Sequence, residues 1–476
     1  MKRRQKKDAR NLRTAGQPVF CLALWILSED NTALPYGSSA GLTDRLPART
    51  DNDNDLNIIY INEGVKKMKA YERLMEYVKY PTGSTEENDA CPSNPKEFDF
   101  ANALADEMKT LGVEDVDVDE HCYVMGTIPA NIENYDGPVL GLIAHIDTSP
   151  DAPNENVKPV MHHYEGGDLI INEKEGIKVD AETLKNFIGC DIITSDGTTL
   201  LGGDNKAGVA EIMTLAEILH NDSSIKHGTI RIGFTPDEEI GRSSDLFDLD
   251  KFGADCAYTI DGDLFGECQS ETFSAMGSKV TINGVGVHPG FAKNAMINAL
   301  HVAEEFDDML PRDERPEYTA GREGFYHLVT MSGGVEKAVM NFILRDFDWD
   351  LVEKRADMMN KTAEFLNHKY GEGTVVVENT EQYHNMGEII EQHPKLTEIP
   401  LSVIREMGYE PDTAPIRGGT DGAFLSFRGL PCPNLGPGGS NFHGRSEFAV
   451  VQDMEKATEM ITKVVQKIAE VKKSDL

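Results

Sequence analysis

Residues 139–147 read VLGLIAHID: six mostly apolar residues in a row, then a histidine and an aspartate one residue apart. A short unbroken apolar run is what a strand buried on both faces requires, because helices cover both sides of a parallel sheet. The histidine and aspartate fall at its carboxyl end, which in an open α/β sheet is where ligands bind. The same texture repeats outward from this run. Residues 229–234 and 256–260 read as further short strands, and residues 96–111, 207–220 and 454–471 as amphipathic helices. In 207–220 the residues Val209, Ile212, Met213, Ala216 and Leu219 share one face. Another helix begins at Met68. This alternation predicts an α/β fold with a mostly parallel, mixed sheet.

Between 273 and 384 the pattern changes. Residues 279–287, 326–331, 338–347 and 374–378 read as strands, and residues 294–310 and 351–368 as helices. Strand-helix-strand-strand-helix-strand is the ferredoxin-like order. It predicts an α+β domain at 273–384, inserted into a first domain built from 68–272 and 385–476.

The 476 residues carry 46 Lys plus Arg against 81 Asp plus Glu, a net charge of −35. Nucleic-acid binding needs a basic footprint, and anionic membranes attract basic segments, so neither partner fits. A hydrophobic content of 39% rules out wholesale disorder. No apolar run reaches the length of a spanning helix. The seven cysteines, Cys21, Cys91, Cys122, Cys190, Cys256, Cys268 and Cys432, are odd in number and form no CxxC pair. That pattern argues for reduced thiols in a cytoplasmic protein.

Residues 1–67 stand apart, with 11 basic and 8 acidic side chains. A basic stretch at 2–13 followed by the apolar PVFCLALWIL at 18–27 imitates a secretory leader. The competing expectation is that 1–67 is a non-native extension and that translation begins at Met68. The codons for Glu63-Gly64-Val65-Lys66-Lys67 form a purine-rich run like a ribosome-binding site.

Four features could carry chemistry. His145-Ile146-Asp147 offers an imidazole ligand with a carboxylate to hold its other nitrogen, or simply a buried histidine. In GGDNKAG (202–208), Asp204 stands where a glycine turn enters a helix, as a ligand or as an ordinary helix cap. In TPDEEIG (235–241), three consecutive carboxylates follow a strand, and so many like charges near a core call for a cation or a proton unless the turn is solvated. Asp261 likewise ends a strand. His443 lies in the glycine-rich loop GPGGSNFHG (436–444), as a ligand or a surface residue. Together they place two histidines and three carboxylates near strand ends. That mixed nitrogen and oxygen set suits zinc, with cobalt or manganese as alternatives, and leaves one glutamate free as a base.

HIDTSPDAP, LLGGDNKAGVAEIMT, GFTPDEEIGR, YTIDGD, VHPG, IRGGTDGA and NFHGRSEF, in this order, resemble the M20 metallopeptidase family from about Met68 to the C-terminus. The likeness is strongest to its tripeptide aminopeptidases. The resemblance implies two Zn2+ per subunit, with Co2+ or Mn2+ as possible substitutes. His145 and Asp261 would bind one ion, Glu239 and His443 the other, and Asp204 would bridge them. Asp147 would orient His145, and Glu238 would be the general base. Asn205 stands where the family pattern has a second aspartate, next to the ligand rather than at it. The inserted domain would be a lid and dimerisation domain, whose His288 in VHPG reaches the active site of the partner subunit. Arg345 and Arg417 would receive the peptide's C-terminal carboxylate. The expected protein is a cytoplasmic homodimer acting on small peptides. Rival readings are another M20 hydrolase (dipeptidase, carboxypeptidase or N-acyl-amino-acid deacylase) and a non-catalytic metal-binding protein on the same fold.

Overall fold

The computed structural model describes residues 67–476. The expectations for residues 1–67, Lys67 apart, and for Cys21 therefore lie outside the described residues. The six described cysteines are free thiols.

A seven-stranded sheet forms the larger unit. Its middle is parallel: Ile230–Thr235, Leu140–His145, Cys256–Ile260 and Asn434–Leu435 lie side by side. Antiparallel strands close both flanks, Val124–Ile128 and then Glu114–Val118 on one side and Cys268–Gln269 on the other. The period-2 geometry of a strand sorts the run 140–145 between two cores. Leu140, Leu142 and Ala144 pack with helices Ala70–Tyr77, Glu97–Thr110, Gly203–Asn221, Lys395–Glu406 and Val451–Ile468. Ile143 faces the other way, onto Phe247, Phe252, Leu425 and Leu430. A second antiparallel sheet of Gly439–Ser440, Phe448–Val450, Asp191–Thr194 and Val160–His163 lies beside this unit.

The inserted segment builds its own four-stranded antiparallel sheet, in the order Phe325–Gly333, Lys337–Asp346, Ser274–Asn283, Val375–Tyr383. Helices Ala299–Asp308 and Trp349–Tyr370 pack on it around Phe306, Phe342, Met359 and Leu366. Its first strand begins at Ser274, five residues before the expected 279, and ends at Asn283 instead of 287. Gly284 explains the end: a Cβ there would lie 2.1 Å from the Val335 carbonyl oxygen, so the chain is pressed against its neighbour and turns away. Among the described residues, no helix is long and apolar enough to cross a membrane.

Candidate metal centre

The carboxyl ends of the parallel strands bring the candidates together. His145 is the last residue of its strand, level with Thr235 on the next. Asp261 follows Ile260, and its N–H donates to the Leu435 carbonyl oxygen at 3.0 Å. Asp204 lies in the first turn of helix Gly203–Asn221 with non-helical dihedrals (φ −81°, ψ 104°), after Gly202 at φ 80°. Gly208 lets this helix approach: a Cβ there would lie 2.0 Å from the Ile260 carbonyl oxygen. The same approach carries Asp204 to the end of the strand that precedes Asp261.

His145 Nε2 lies 2.9 Å from Asp204 Oδ1 and 3.3 Å from Asp261 Oδ1. His443 Nε2 lies 3.4 Å from Asp204 Oδ2 and 2.9 Å from Glu239 Oε2. The two oxygens of one carboxylate thus face two separate imidazole–carboxylate pairs. Ligand atoms of His145, Asp204 and Glu239 all lie within 4.8 Å of one another.

The neighbouring groups fix this arrangement. Asp147, wholly buried, lies 3.3 Å from His145 Nδ1 through Oδ1. It also accepts the Glu238 N–H at 3.0 Å and the Glu239 N–H at 3.2 Å, so one carboxylate ties the first histidine to the acidic turn. Three groups with parallel duties escaped the sequence reading. Asp151 Oδ2 lies 3.3 Å from His443 Nδ1 and stands to that histidine as Asp147 does to His145. Glu447 accepts the N–H groups of Leu201, Gly202 and Asp204 at 2.7, 2.8 and 3.0 Å. Asp421 accepts from the Thr235 hydroxyl at 2.9 Å and from the Ser243 hydroxyl. Asp151 belongs to the same HIDTSPD run as His145, and Glu447 follows His443 by four residues. Those positions were the available signals.

Electrostatics tests whether cations fit. Burial and the Asp204 charge push Asp261 and Glu239 each up to about 7, although His145 pulls both the other way and His443 pulls Glu239. Burial likewise raises Glu238, helped by Asp261, Asp421 and Glu239. Burial opposes a charge on either imidazole, yet the facing carboxylates hold both histidines well above their ordinary value. Desolvation acts on half-buried Asp204 too, but the two imidazoles on either side hold it below the usual carboxylate range. Glu239 Oε1 is buried without a hydrogen-bond partner. The pocket therefore concentrates anionic oxygens around two imidazole nitrogens and demands positive charge. Such a donor set fits a pair of divalent ions.

The remaining candidates lie elsewhere. His288 caps the exposed turn Pro289–Phe291, where Nδ1 accepts from the Gly290 N–H at 3.1 Å and the ring lies 5.5 Å from that of Phe291. Among the described residues, no contact joins it to the centre of its own chain. Arg345 is buried on the inserted sheet beside Tyr383, and its Nη1 donates to Gln382 Oε1 at 3.0 Å. Arg417 donates to the carbonyl oxygens of Gly321 and Glu323 at 2.6 and 2.9 Å and to Thr319 Oγ1 at 3.1 Å, packed on the rings of Phe273 and Phe325. In this conformation Arg417 is a strut between the inserted domain and the larger one.

A mixed sheet with histidines and carboxylates gathered at its strand ends is an architecture suited to a metal-dependent hydrolase. The model of peptidase family M20/M25/M40 matches residues 200–467. Peptidase T of Clostridium novyi is 49% identical over 398 residues, which cover 83% of this chain and 98% of that protein. The chain belongs to peptidase family M20. Among solved structures, a tripeptidase from Staphylococcus aureus shares the fold at a TM-score of 0.69 and 20% identity, covering 86% of this chain and all of that one. A dinuclear metal-binding M20 peptidase from Bacillus subtilis does so at a TM-score of 0.58 and 16% identity, over 84% and 98%.

Proposed function

We propose that the chain is a dizinc tripeptide aminopeptidase, releasing the N-terminal residue of tripeptides. One observation carries the metal reading: the two oxygens of Asp204 point at two separate histidine–carboxylate pairs. The substrate reading draws on the Peptidase T relative and the tripeptidase neighbour. His145 and Asp261 would hold one ion, His443 and Glu239 the other, and Asp204 both. Such ions, when bound, lower the pKa of a water and polarise the scissile carbonyl.

The chain's own residues do the rest. Asp147 and Asp151 hold the Nδ1 sides of the two histidines, which leaves each Nε2 turned inward. Glu238, anchored through its N–H to Asp147, takes the proton of the attacking water on its carboxylate and returns it to the leaving amine. Arg345 engages protein through Nη1, so the remaining edge of its guanidinium is offered to the peptide's C-terminal carboxylate. Arg417 joins it once released from the loop at Thr319–Glu323. His288 reaches the active site of a partner subunit in a homodimer. The inserted domain closes over substrate as a lid. The protein works in the cytoplasm, on zinc or with Co2+ or Mn2+ as substitutes.

The test is tripeptide turnover by purified protein before chelation, after it, and after zinc is restored, with Glu238→Ala as control. Loss and recovery of turnover, and a fall of about 10²–10³ in Glu238→Ala with metal content kept, are expected. Hydrolysis confined to N-acetyl amino acids would defeat the aminopeptidase reading.

A further inference from the structure

Of the carboxylates within four residues past the carboxyl ends of the central parallel strands, two have no side-chain hydrogen-bond or ion-pair partner among the described residues. They are Glu238 and Asp263. Asp147, Asp237, Glu239 and Asp261 are all engaged, to main-chain N–H groups or to the histidines. Glu238 is needed for the proton. Asp263 is left without a task.

Its setting is built. The Asp263 N–H donates to Glu267 Oε2 at 2.7 Å. Its carbonyl oxygen accepts the N–H groups of Gly438 and Gly439, both at 2.9 Å. The turn at Asp263 and the loop that carries His443 pack backbone to backbone: a Cβ at Gly436 would lie 2.0 Å from the Leu264 carbonyl oxygen, and one at Gly262 would lie 2.9 Å from Gly436 Cα. The turn that bears Asp263 is thus fixed between Asp261 and the loop that carries His443. Its side chain nevertheless remains exposed to solvent. A rigidly carried, unpartnered, solvent-open carboxylate on the rim of a centre is arranged to meet a cation from outside.

We propose that Asp263 is a specificity-determining residue that receives the α-ammonium group of the substrate. This rests on the aminopeptidase reading, since it is the free N-terminus that brings a positive charge close to the scissile bond. An N-acylated peptide has a neutral amide there and leaves the carboxylate unpaired. The site therefore selects by rejecting the acylated competitor as well as by holding the free amine. Asp263 does not take part in bond breaking, and its effect falls on binding.

The experiment compares wild type, Asp263→Asn and Asp263→Glu in the zinc-loaded enzyme. It uses a tripeptide, its N-acetyl form, and the analogue lacking the α-amino group as a competitive inhibitor. In wild type the tripeptide is cleaved and the acetylated form is not. In Asp263→Asn, KM for the tripeptide rises about tenfold or more, with kcat within about threefold. Its Ki for the des-amino analogue and its zinc content match wild type. Asp263→Glu regains part of the loss. Unchanged KM in Asp263→Asn, or an equal loss of affinity for the des-amino analogue, overturns the assignment while the aminopeptidase reading stands. A wild type that cleaves acylated compounds alone overturns both.

Discussion

Replacing Glu447 by glutamine changes one oxygen into an NH2 group, and the structure says where the damage falls. Glu447 is 1% exposed and uses both oxygens as acceptors, Oε2 for Leu201 and Gly202 and Oε1 for Asp204. Glutamine has one acceptor oxygen. If that oxygen keeps the two N–H groups of Leu201 and Gly202, the new NH2 faces the Asp204 N–H, donor against donor. A buried donor left without a partner costs about 1–3 kcal/mol, which the loop relieves by moving Asp204 away. Asp204 serves both halves of the centre, so the displacement weakens the whole site. Losses of this kind in groups that position ligands run to about 10–100-fold in metal affinity. The assay is zinc competition against a chromophoric chelator for wild type and Glu447→Gln, with thermal unfolding of both metal-free proteins as the folding control. Zinc affinity equal to wild type in a folded Glu447→Gln protein would refute the reasoning.

Two further predictions concern stability. Arg73 is 2% exposed and joins three helices through Glu107 at 2.8 Å, Glu217 at 2.7 Å and the Thr214 hydroxyl at 3.1 Å. Arg73→Ala strands the buried Glu217 carboxylate and should cost about 3–5 kcal/mol in urea unfolding; a loss below about 1 kcal/mol would show that the network is dispensable. Glu211 is wholly buried in helix Gly203–Asn221 with both oxygens unpartnered, and burial together with the Asp453 charge raises its pKa well above the ordinary value. A carboxyl raised in the folded state favours folding fully below its unfolded pKa and loses that contribution as pH climbs towards the folded value. Glu211→Gln should therefore melt above wild type at pH 8, with the gap closing towards pH 4; a constant gap would contradict the assignment.

The sequence displayed those parts of the molecule whose cause is local. The strand Cys256–Ile260 and the helix over 207–220 were legible because a run of apolar residues and a 3.6-residue spacing each need only neighbours in sequence. The strand Glu114–Val118 was not, because EDVDV alternates acids with valines and belongs to a sheet edge whose partner lies in the next strand. Helix Lys395–Glu406 was hidden by the proline at 400, which its neighbours tolerate in packing. At the centre, the histidines and acidic turn showed themselves by residue type and position after strands. Glu447 did not, since a carboxylate that binds main-chain N–H groups 246 residues away leaves no local mark. Arg417 was visible as a cation, but its engagement with Gly321 and Glu323 depends on how two domains meet.

The insertion also sets an order of events during synthesis. Asp261 and Asn434 touch across 173 residues of chain, and His443 and Glu447 come later still. On the ribosome, the strands bearing His145, Glu239 and Asp261 emerge while the second imidazole and the clasp that seats Asp204 are yet to be made. Cations of the proposed centre would thus be held only by the finished polypeptide, after its last forty or so residues have left the tunnel and closed the pocket.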